Sequence, residues 1–232
     1  EFSAGAQAQG AKGTFGWRAA AIGRGSGNLH TPQEELDNTG FGAFNGEAAG
    51  GWRWSSGSSL AMRVVHFGGE FKLLEANAPP GEEGGPERKS GDNRFQIAAQ
   101  HPVGAWRLEA KGQLQQHSLI EMADDSTGAE SEAFNLQLKT AALDLLAHHN
   151  GITLGATAIG QTNDASGREP IVPDANVISS AAFAFGQWHL GGASRWSLLA
   201  GARADARHLS VDADSALGTV EQDQTSSAWS GN

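Results

Sequence analysis

Apolar and polar side chains alternate along several stretches of this chain. The clearest run, from Trp106 to Leu114, interleaves two sets: Trp106, Leu108, Ala110, Gly112 and Leu114 with Arg107, Glu109, Lys111 and Gln113. A period of two puts the two sets on opposite faces of a β-strand, whereas a helix needs a period near 3.6. The pattern returns over 134–139, where Asn135, Gln137 and Lys139 form the polar set, and more loosely over 196–205. It predicts a strand in each stretch.

Applied to the whole chain, the pattern predicts eleven strands. Their centres lie near Ala6, Ala20, Asn45, Arg63, Ile97, Ala110, Leu138, Ala156, Ala182, Ala202 and Ala228. Several exceed the mean globular strand of about 5–6 residues. They match the roughly 9–11 residues with which a tilted strand crosses a bilayer. The sequence therefore favours an all-β chain whose strands are long enough to span a membrane.

The connections between these strands alternate short and long. The short ones cover 12–14, 55–57, 101–104, 149–151 and 191–193, and the long ones cover about 26–38, 75–92, 121–132, 163–175 and 211–224. In an up-and-down barrel alternate connections lie at the same end, so one rim carries tight turns and the other long loops, as in outer-membrane barrels. We therefore expect an antiparallel up-and-down transmembrane β-barrel, of which this chain supplies about 10–12 strands.

Tryptophan is concentrated at the end with short turns. Six of the seven tryptophans lie within a few residues of a predicted turn: Trp17, Trp52, Trp54, Trp106, Trp188 and Trp196. Indole rings favour the boundary between lipid and water, which makes an aromatic girdle one interpretation. Packing beside turns in an ordinary β core is the other.

Charge follows the same division between the two ends. The net charge is −10, and the five predicted long loops hold 20 of the 26 carboxylates but only Arg88, Lys89 and Arg168 among the 16 basic residues. An acidic rim could attract cationic ligands or divalent ions. The carboxylates could equally serve only to keep the loops solvated. Without clustered basic residues the chain does not resemble a nucleic-acid-binding protein.

Candidate chemistry is sparse. The chain has no cysteine, and no window approaches the 18 consecutive apolar residues of a membrane-spanning helix. His148 and His149 are adjacent in a predicted strand, so they point to opposite faces and cannot readily share a metal. Two acid–histidine pairs, Asp205 with His208 and Asp144 with His148, are more simply read as strand residues. We therefore expect no enzyme activity, no catalytic residues, no metal site and no cofactor.

An ordered series of short pieces, none specific alone, follows Asn28: His30-Thr-Pro, Asp37-Asn-Thr-Gly-Phe41, His66-Phe-Gly-Gly-Glu-Phe71, Ser166-Gly-Arg-Glu-Pro-Ile-Val-Pro173, Ala182-Phe-Ala-Phe-Gly-Gln-Trp188, Leu199-Ala-Gly-Ala-Arg203 and Ala228-Trp-Ser-Gly231. In their order these pieces resemble the first half of the barrel of TonB-dependent outer-membrane receptors. Tyrosine, common in the aromatic belts of that family, is absent, and His66 and Phe71 stand where the family would have it.

The resemblance implies active import of a nutrient complex across the bacterial outer membrane, with ferric siderophores, haem and cobalamin as the usual substrate classes. Its implied partners are the lipid bilayer with its lipopolysaccharide, the small-molecule nutrient complex, and the TonB complex, which acts through a plug domain that this chain lacks. We expect residues 1–232 to form a single barrel segment that is truncated at both ends. The sequence identifies no substrate-binding residue.

Two other readings stay open. One is a smaller, complete outer-membrane barrel with an enzymatic or adhesive role, although bacterial single-chain barrels have even strand numbers. The other is a soluble barrel that binds a ligand in its interior. Against it stand the alternate polar residues Arg107, Glu109, Lys111 and Gln113, because a soluble barrel turns its apolar face inward.

Overall fold

The computed structural model describes residues 1–74, 85–124, 129–189 and 196–231, and these ranges contain thirteen β-strands. The strands are β1 (Phe2–Lys12), β2 (Phe15–Ser26), β3 (Leu29–His30), β4 (Glu35–Leu36), β5 (Phe41–Arg53), β6 (Ser59–Lys72), β7 (Glu87–Val103), β8 (Trp106–Asp124), β9 (Glu130–His149), β10 (Ile152–Ser166), β11 (Ala175–His189), β12 (Ser197–Val211) and β13 (Gln222–Gly231). Within the described ranges, no helix is long and apolar enough to cross a membrane.

Eleven of these strands form one antiparallel sheet in chain order, and each pairs with the next. Strands β3 and β4 form a separate two-stranded ribbon inside the first long loop. Strands β1 and β13 are the two edges of the sheet, which is not closed. Each of the eleven predicted strand centres lies in a different strand of this sheet. The all-β, up-and-down architecture predicted from the sequence is confirmed.

The tight turns are made by residues with a positive φ angle. Strands β9 and β10 are joined by Asn150 and Gly151, with φ values of 43° and 79°. That sequence is typical of the type I′ turn, whose twist matches that of the flanking strands. Strands β7 and β8 are joined by Gly104 and Ala105, so the turn predicted at 101–104 starts later than expected, and Pro102 belongs to β7.

Three predicted long loops are shorter than the sequence indicated, because the strands continue past the end of clear alternation. Strand β7 starts at Glu87, β8 reaches Asp124, and β10 reaches Ser166. Both ends of the connection predicted at 121–132 therefore belong to strands, since β8 reaches Asp124 and β9 starts at Glu130. Backbone pairing persists in these extensions although the side-chain pattern changes. Their carboxylates, including Asp92, Glu121 and Asp164, therefore lie on strand ends and not in loops.

Part of the predicted pattern lies outside the described residues. This applies to the turn at 191–193, to residues 75–84 of the second long loop, and to four of the loop carboxylates: Glu75, Glu82, Glu83 and Asp125.

Strand register gives the sheet two chemically different faces. Paired residues of neighbouring strands point to the same side, so the register carries one face from strand to strand. Leu108 pairs with Ala147, and Leu114 pairs with Ala141. The face on which these residues lie is apolar across the sheet. The opposite face carries Arg107 and the charged pair Lys111 and Asp144. We call these the outer face and the inner face.

The sheet has almost no core of its own. Among the described apolar residues only Ala133, Phe134 and Ala181 are buried, whereas large side chains of the outer face such as Leu145 and Leu154 are exposed. On β8 the apolar positions run from Trp106 to Leu114. Nine residues at about 3.4 Å each, tilted by about 40°, rise roughly 23 Å, close to the ~25 Å apolar band of a membrane barrel. This band fits lipid as the medium that covers the outer face.

Candidate functional site: the inner face of the sheet

Charged side chains of the inner face are paired with one another. The carboxylate of Glu47 on β5 accepts hydrogen bonds from Arg18 on β2 and from Arg63 on β6. These three strands are neighbours in the sheet, so one acid links two cations across it. The Glu47 side chain is 19% exposed, whereas the two arginines are about half exposed. In this cluster the carboxylate is largely shielded from solvent, whereas the guanidinium groups are exposed.

A second polar cluster crosses β7 and β8. Gln96 Nε2 donates to Gln113 Oε1 at 2.8 Å, and Gln115 Nε2 donates to Asp92 Oδ2 at 2.5 Å. Gln113 Nε2 joins the two pairs through Gln115 Oε1 at 3.3 Å. Two further nitrogens lie close to the Asp92 carboxylate: Arg94 Nη2 at 3.6 Å and His117 Nδ1 at 3.7 Å. The inner face thus carries a connected chain of amide and charged groups.

A third cluster lies nearer the turns. Glu109 accepts from Lys111 Nζ at 2.7 Å, and its other oxygen is 3.5 Å from His148 Nε2. The other ring nitrogen of His148 lies 3.0 Å from the Thr153 hydroxyl. Thr153 is therefore the hydrogen-bonded neighbour of His148 and Glu109 lies near its Nε2, whereas Asp144, the carboxylate considered from the sequence, stands opposite Lys111 in the register.

Small residues leave a groove between the polar side chains of the inner face. It encloses about 660 Å³. Two registered rows border it; one consists of Gly16, Gly51, Ala61, Ala98, Lys111 and Asp144, and the other of Arg18, Ala49, Arg63, Gln96, Gln113 and Ala142. Glycine and alanine dominate the side of the groove near β2 and β5, and polar groups the side near β8 and β9. Such a surface can accept hydrogen-bonding groups from a ligand or from another protein segment.

A separate cation lies farther along the inner face. The Arg203 guanidinium binds the Asp205 carboxylate at 2.7–2.9 Å and stands 5.9 Å from the centre of the Phe183 ring. Phe183 in turn covers Gly155 on β10, where an added Cβ would lie 2.2 Å from the ring. Asp205 thus interacts with Arg203. His208, which the sequence grouped with Asp205, points to the outer face and lies 3.7 Å from Asp223.

At the loop end of β9 the inner face carries a buried aromatic residue. A bulge in β9 leaves Ala133 without a partner on β8, and its carbonyl accepts the Glu169 N–H of the β10–β11 loop at 2.8 Å. Beneath that loop Phe134 is 4% exposed. The loop is also tied to β8, because Arg168 donates to the carbonyls of Ala123 and Asp124. The loop is therefore fixed against the end of the sheet.

The alternation predicts that Asn135, Gln137 and Lys139 form the polar side of their strand, and they do lie on one side. That side is the outer face, on which Ala141 and Leu143 are the next residues after Lys139 toward the turn. At this height the strand has passed beyond the apolar positions of the outer face.

The first two long loops are also tied together. Asn38 has a φ of 54°, and its side-chain amide donates to the carbonyls of Leu73 and Pro86 at 2.6 and 3.1 Å. Below them Arg88 donates to Glu121 at 2.5 and 2.9 Å. Within the described residues, no group of three or more acids and histidines is placed to hold a metal ion.

Tryptophans near the turns lie on the outer face. By register Trp17, Trp52, Trp106 and Trp188 all point outward, and Trp54 lies in a turn. The ring of Trp52 contacts that of Phe15, with centroids 4.7 Å apart. This placement fits the aromatic girdle better than core packing, because none of the buried apolar residues among those described lies at this end.

The two residues that replace the expected tyrosines have different positions. His66 points outward, and its Nδ1 lies 2.7 Å from Asn93 Oδ1. Phe71 points inward and stacks on Phe41, with centroids 6.1 Å apart. Only His66 is placed to take part in an outer belt.

Comparison with solved structures identifies the fold. The siderophore receptor PiuA from Acinetobacter baumannii matches 99% of this chain with a TM-score of 0.70 and 10% identity. The copper transporter OprC matches 99% of it with a TM-score of 0.72 and 14% identity. The ferric-catecholate import receptor Fiu from E. coli K12, in its open form, matches 99% with a TM-score of 0.65 and 10% identity. No family model and no curated protein sequence matches the chain.

The chain spans between 40% and 50% of the length of these solved structures. They are TonB-dependent receptors, so the resemblance predicted from short sequence pieces is confirmed as a likeness of fold. At 10–14% identity the match establishes the architecture of a receptor barrel wall. What those proteins carry is a separate question for this chain.

Proposed function

We propose that this chain is part of the barrel wall of an outer-membrane receptor that imports a nutrient complex. The observation that carries the proposal is the division between the two faces of the sheet. An apolar band faces outward, and paired charges and amides face inward, which is the arrangement of a barrel with lipid outside and a polar interior. A soluble barrel has the opposite arrangement.

The neighbours support transport over catalysis. They are a siderophore receptor, a copper transporter and a ferric-catecholate import receptor. Metal-containing complexes are therefore the substrate class we propose, and we assign no enzymatic role to the chain. The grooved inner face offers hydrogen-bonding groups along a substrate path, and the loops tied by Asn38 and Arg168 shape its mouth.

We further propose that residues 1–232 form one barrel segment without a plug, and that import draws on the TonB complex through a plug elsewhere in the complete receptor. An open sheet in lipid exposes two edges of unpaired backbone groups, each costing several kcal/mol. Further strands that pair with β1 and β13 would remove that cost.

Uptake by the complete receptor tests the proposed function. The receptor is expressed in cells that lack their own uptake systems, and accumulation of iron-55 and copper-64 complexes is measured with and without the TonB protein. We expect saturable accumulation of at least one complex that disappears without TonB. Equal accumulation in both strains would contradict an energised receptor.

The polypeptide of 232 residues provides the matching test of the domain proposal. Reconstituted alone in liposomes, it should carry no saturable flux of any complex that the complete receptor imports. Saturable uptake by this polypeptide would show that it is a functional transporter by itself.

A further inference from the structure

Two Asn-Gly pairs occur in the chain, and the fold gives them different surroundings. Asn150 and Gly151 form the turn between β9 and β10, and both are exposed. Asn45 and Gly46 lie within β5, and both are half-buried. Asparagine followed by glycine is prone to deamidation, because glycine has no side chain to hinder attack of its main-chain nitrogen on the asparagine carboxamide. The chain therefore carries one such pair in a turn and a matching pair in a strand.

The main-chain nitrogen that would attack is available only in the turn. The carbonyl of Gly151 accepts the Gln187 N–H at 2.9 Å, but the Gly151 N–H donates to no acceptor among the described residues. Gly46 is paired with Ala21 on β2 and with His66 on β6, so its N–H is held within the sheet. Attack requires rotation about the Cα–C bond of the asparagine. In the turn this rotation can occur outside the paired strands, whereas in β5 it would break hydrogen bonds of the sheet.

The His149 ring is fixed beside the Asn150 carboxamide. It stacks on Trp106, with centroids 4.8 Å apart, and its Nδ1 lies 2.9 Å from the Ala105 carbonyl oxygen. Because a carbonyl oxygen only accepts, Nδ1 carries a proton, and the other nitrogen, Nε2, lies 3.1 Å from Asn150 Nδ2. In the neutral ring Nε2 accepts a hydrogen bond from the carboxamide. In the imidazolium Nε2 also carries a proton, which it can donate to the amide nitrogen as that nitrogen leaves.

We propose that Asn150 is a deamidation site of this protein and that His149 assists the reaction as a general acid. The Gly151 nitrogen forms a bond to Asn150 Cγ and loses its proton to water. The Cγ–Nδ2 bond breaks, the leaving nitrogen takes a proton from His149 Nε2, and ammonia departs from a succinimide. His149 regains its proton from solvent. Water then opens the succinimide to an aspartate or an isoaspartate, so the reaction consumes water, releases ammonia and needs no oxidant or reductant.

The two products change the turn in different ways. Aspartate adds a negative charge but keeps the two-residue turn, because it also tolerates a positive φ angle. Isoaspartate adds a carbon atom to the main chain, so the turn no longer fits the register that pairs His149 with Ile152. Isoaspartate should therefore loosen the turn end of the β9–β10 pair.

Peptide mass spectrometry of the complete receptor tests the site. The purified receptor is kept folded in detergent at neutral pH, sampled over time and digested, and the fractions of aspartate and isoaspartate at positions 45 and 150 are measured. We expect modification at position 150 to accumulate several-fold faster than at position 45. The denatured receptor is the control, since without strand pairing the two Asn-Gly pairs should react at similar rates. Equal rates at the two positions in the folded receptor would overturn the proposal.

A variant separates the role of His149 from that of the turn itself. His149→Phe keeps a ring that can stack on Trp106 but has no nitrogen beside the carboxamide. It should slow deamidation at position 150 several-fold, whereas a general loosening of the turn would speed it. An unchanged or faster rate would overturn the assistance by His149. These measurements read mass and not uptake, so their outcome is independent of the proposed transport function.

Discussion

At the scale of single residues, the inner face depends on acids that each hold more than one partner. Glu47 binds Arg18 and Arg63, Asp92 lies among three polar side chains, and Glu109 lies between Lys111 and His148. Removing Glu47 therefore leaves two arginines facing each other without a counter-charge. The loss of stability should exceed that from breaking a single exposed ion pair, although the exposure of the cations limits it.

Glu47→Gln is expected to lower the free energy of unfolding of the complete receptor by about 1 kcal/mol, since an amide cannot neutralise both arginines. Denaturant unfolding in detergent, followed by tryptophan fluorescence, measures it. Glu34→Gln, in an exposed loop, is the control and should change stability little. Equal stability of Glu47→Gln and wild type would show that the cluster does not stabilise the wall.

Turn glycines differ in what surrounds them. Gly151 has a φ of 79°, and a Cβ there would lie 2.4 Å from the Gln187 carbonyl oxygen, while Gly104, with a φ of 59°, has open space. The Gly151 carbonyl also accepts the Gln187 N–H at 2.9 Å, so the two backbones cannot separate freely. The position is restricted both by conformation and by close approach.

Gly104→Ala should lower the free energy of unfolding by about 1 kcal/mol, because alanine adopts the left-handed conformation less readily than glycine. Gly151→Ala should cost at least about 1 kcal/mol more, because the methyl group also displaces β11. The unfolding midpoints of the two variants in the same detergent compare these costs directly. If both midpoints shift equally, the close approach of β11 has no energetic effect.

At the scale of strands, the features predicted correctly from the sequence are those that follow from a period of two residues. All eleven strand centres, the four tight turns that lie within the described residues and the two faces of the stretch from Trp106 to Leu114 are confirmed by the register. Apolar and polar residues alternate where one face of a strand meets an apolar medium and the other a polar one. The alternation therefore marks strands only inside the apolar band. Beyond it, where both faces meet polar surroundings, the contrast weakens and strand ends such as Asp124 were placed too early.

The inner-face clusters could not be predicted in the same way. Glu47, Arg18 and Arg63 are separated by 29 and 16 positions in the sequence, and their contact depends on the exact register of three strands. A shift of one residue would turn each side chain to the other face. The Ala133 bulge and its contact with Glu169 also depend on long-range pairing, and no local signal marks them.

A pair of neighbouring substitutions tests the assignment of faces on β9. Leu143→Arg puts a cation in the apolar band and should destabilise the receptor in lipid vesicles by about 2–4 kcal/mol. Ala142→Arg, one residue away on the inner face, should cost far less, because its side chain extends into the polar interior. Urea unfolding from vesicles measures both. Similar losses for the two variants would contradict the assignment.

At the scale of the whole molecule, the chain is an open sheet whose two faces and two ends differ chemically. Tight turns and outward tryptophans mark one rim, and tied loops with strand-end carboxylates mark the other. Since only Ala133, Phe134 and Ala181 are buried among the described apolar residues, the sheet depends for its stability on backbone pairing and on whatever covers its two faces.

The accessibility of single positions along β9 tests this account most directly. The chain has no cysteine, so in a complete receptor free of other cysteines one can be placed at each position from 141 to 146 and spin-labelled in lipid vesicles. Collision rates with oxygen, which concentrates in lipid, and with a water-soluble nickel complex then report each environment. We predict that positions 141, 143 and 145 favour oxygen and that 142, 144 and 146 favour nickel. Equal rates along the strand, or the opposite alternation, would contradict a membrane wall with this sidedness.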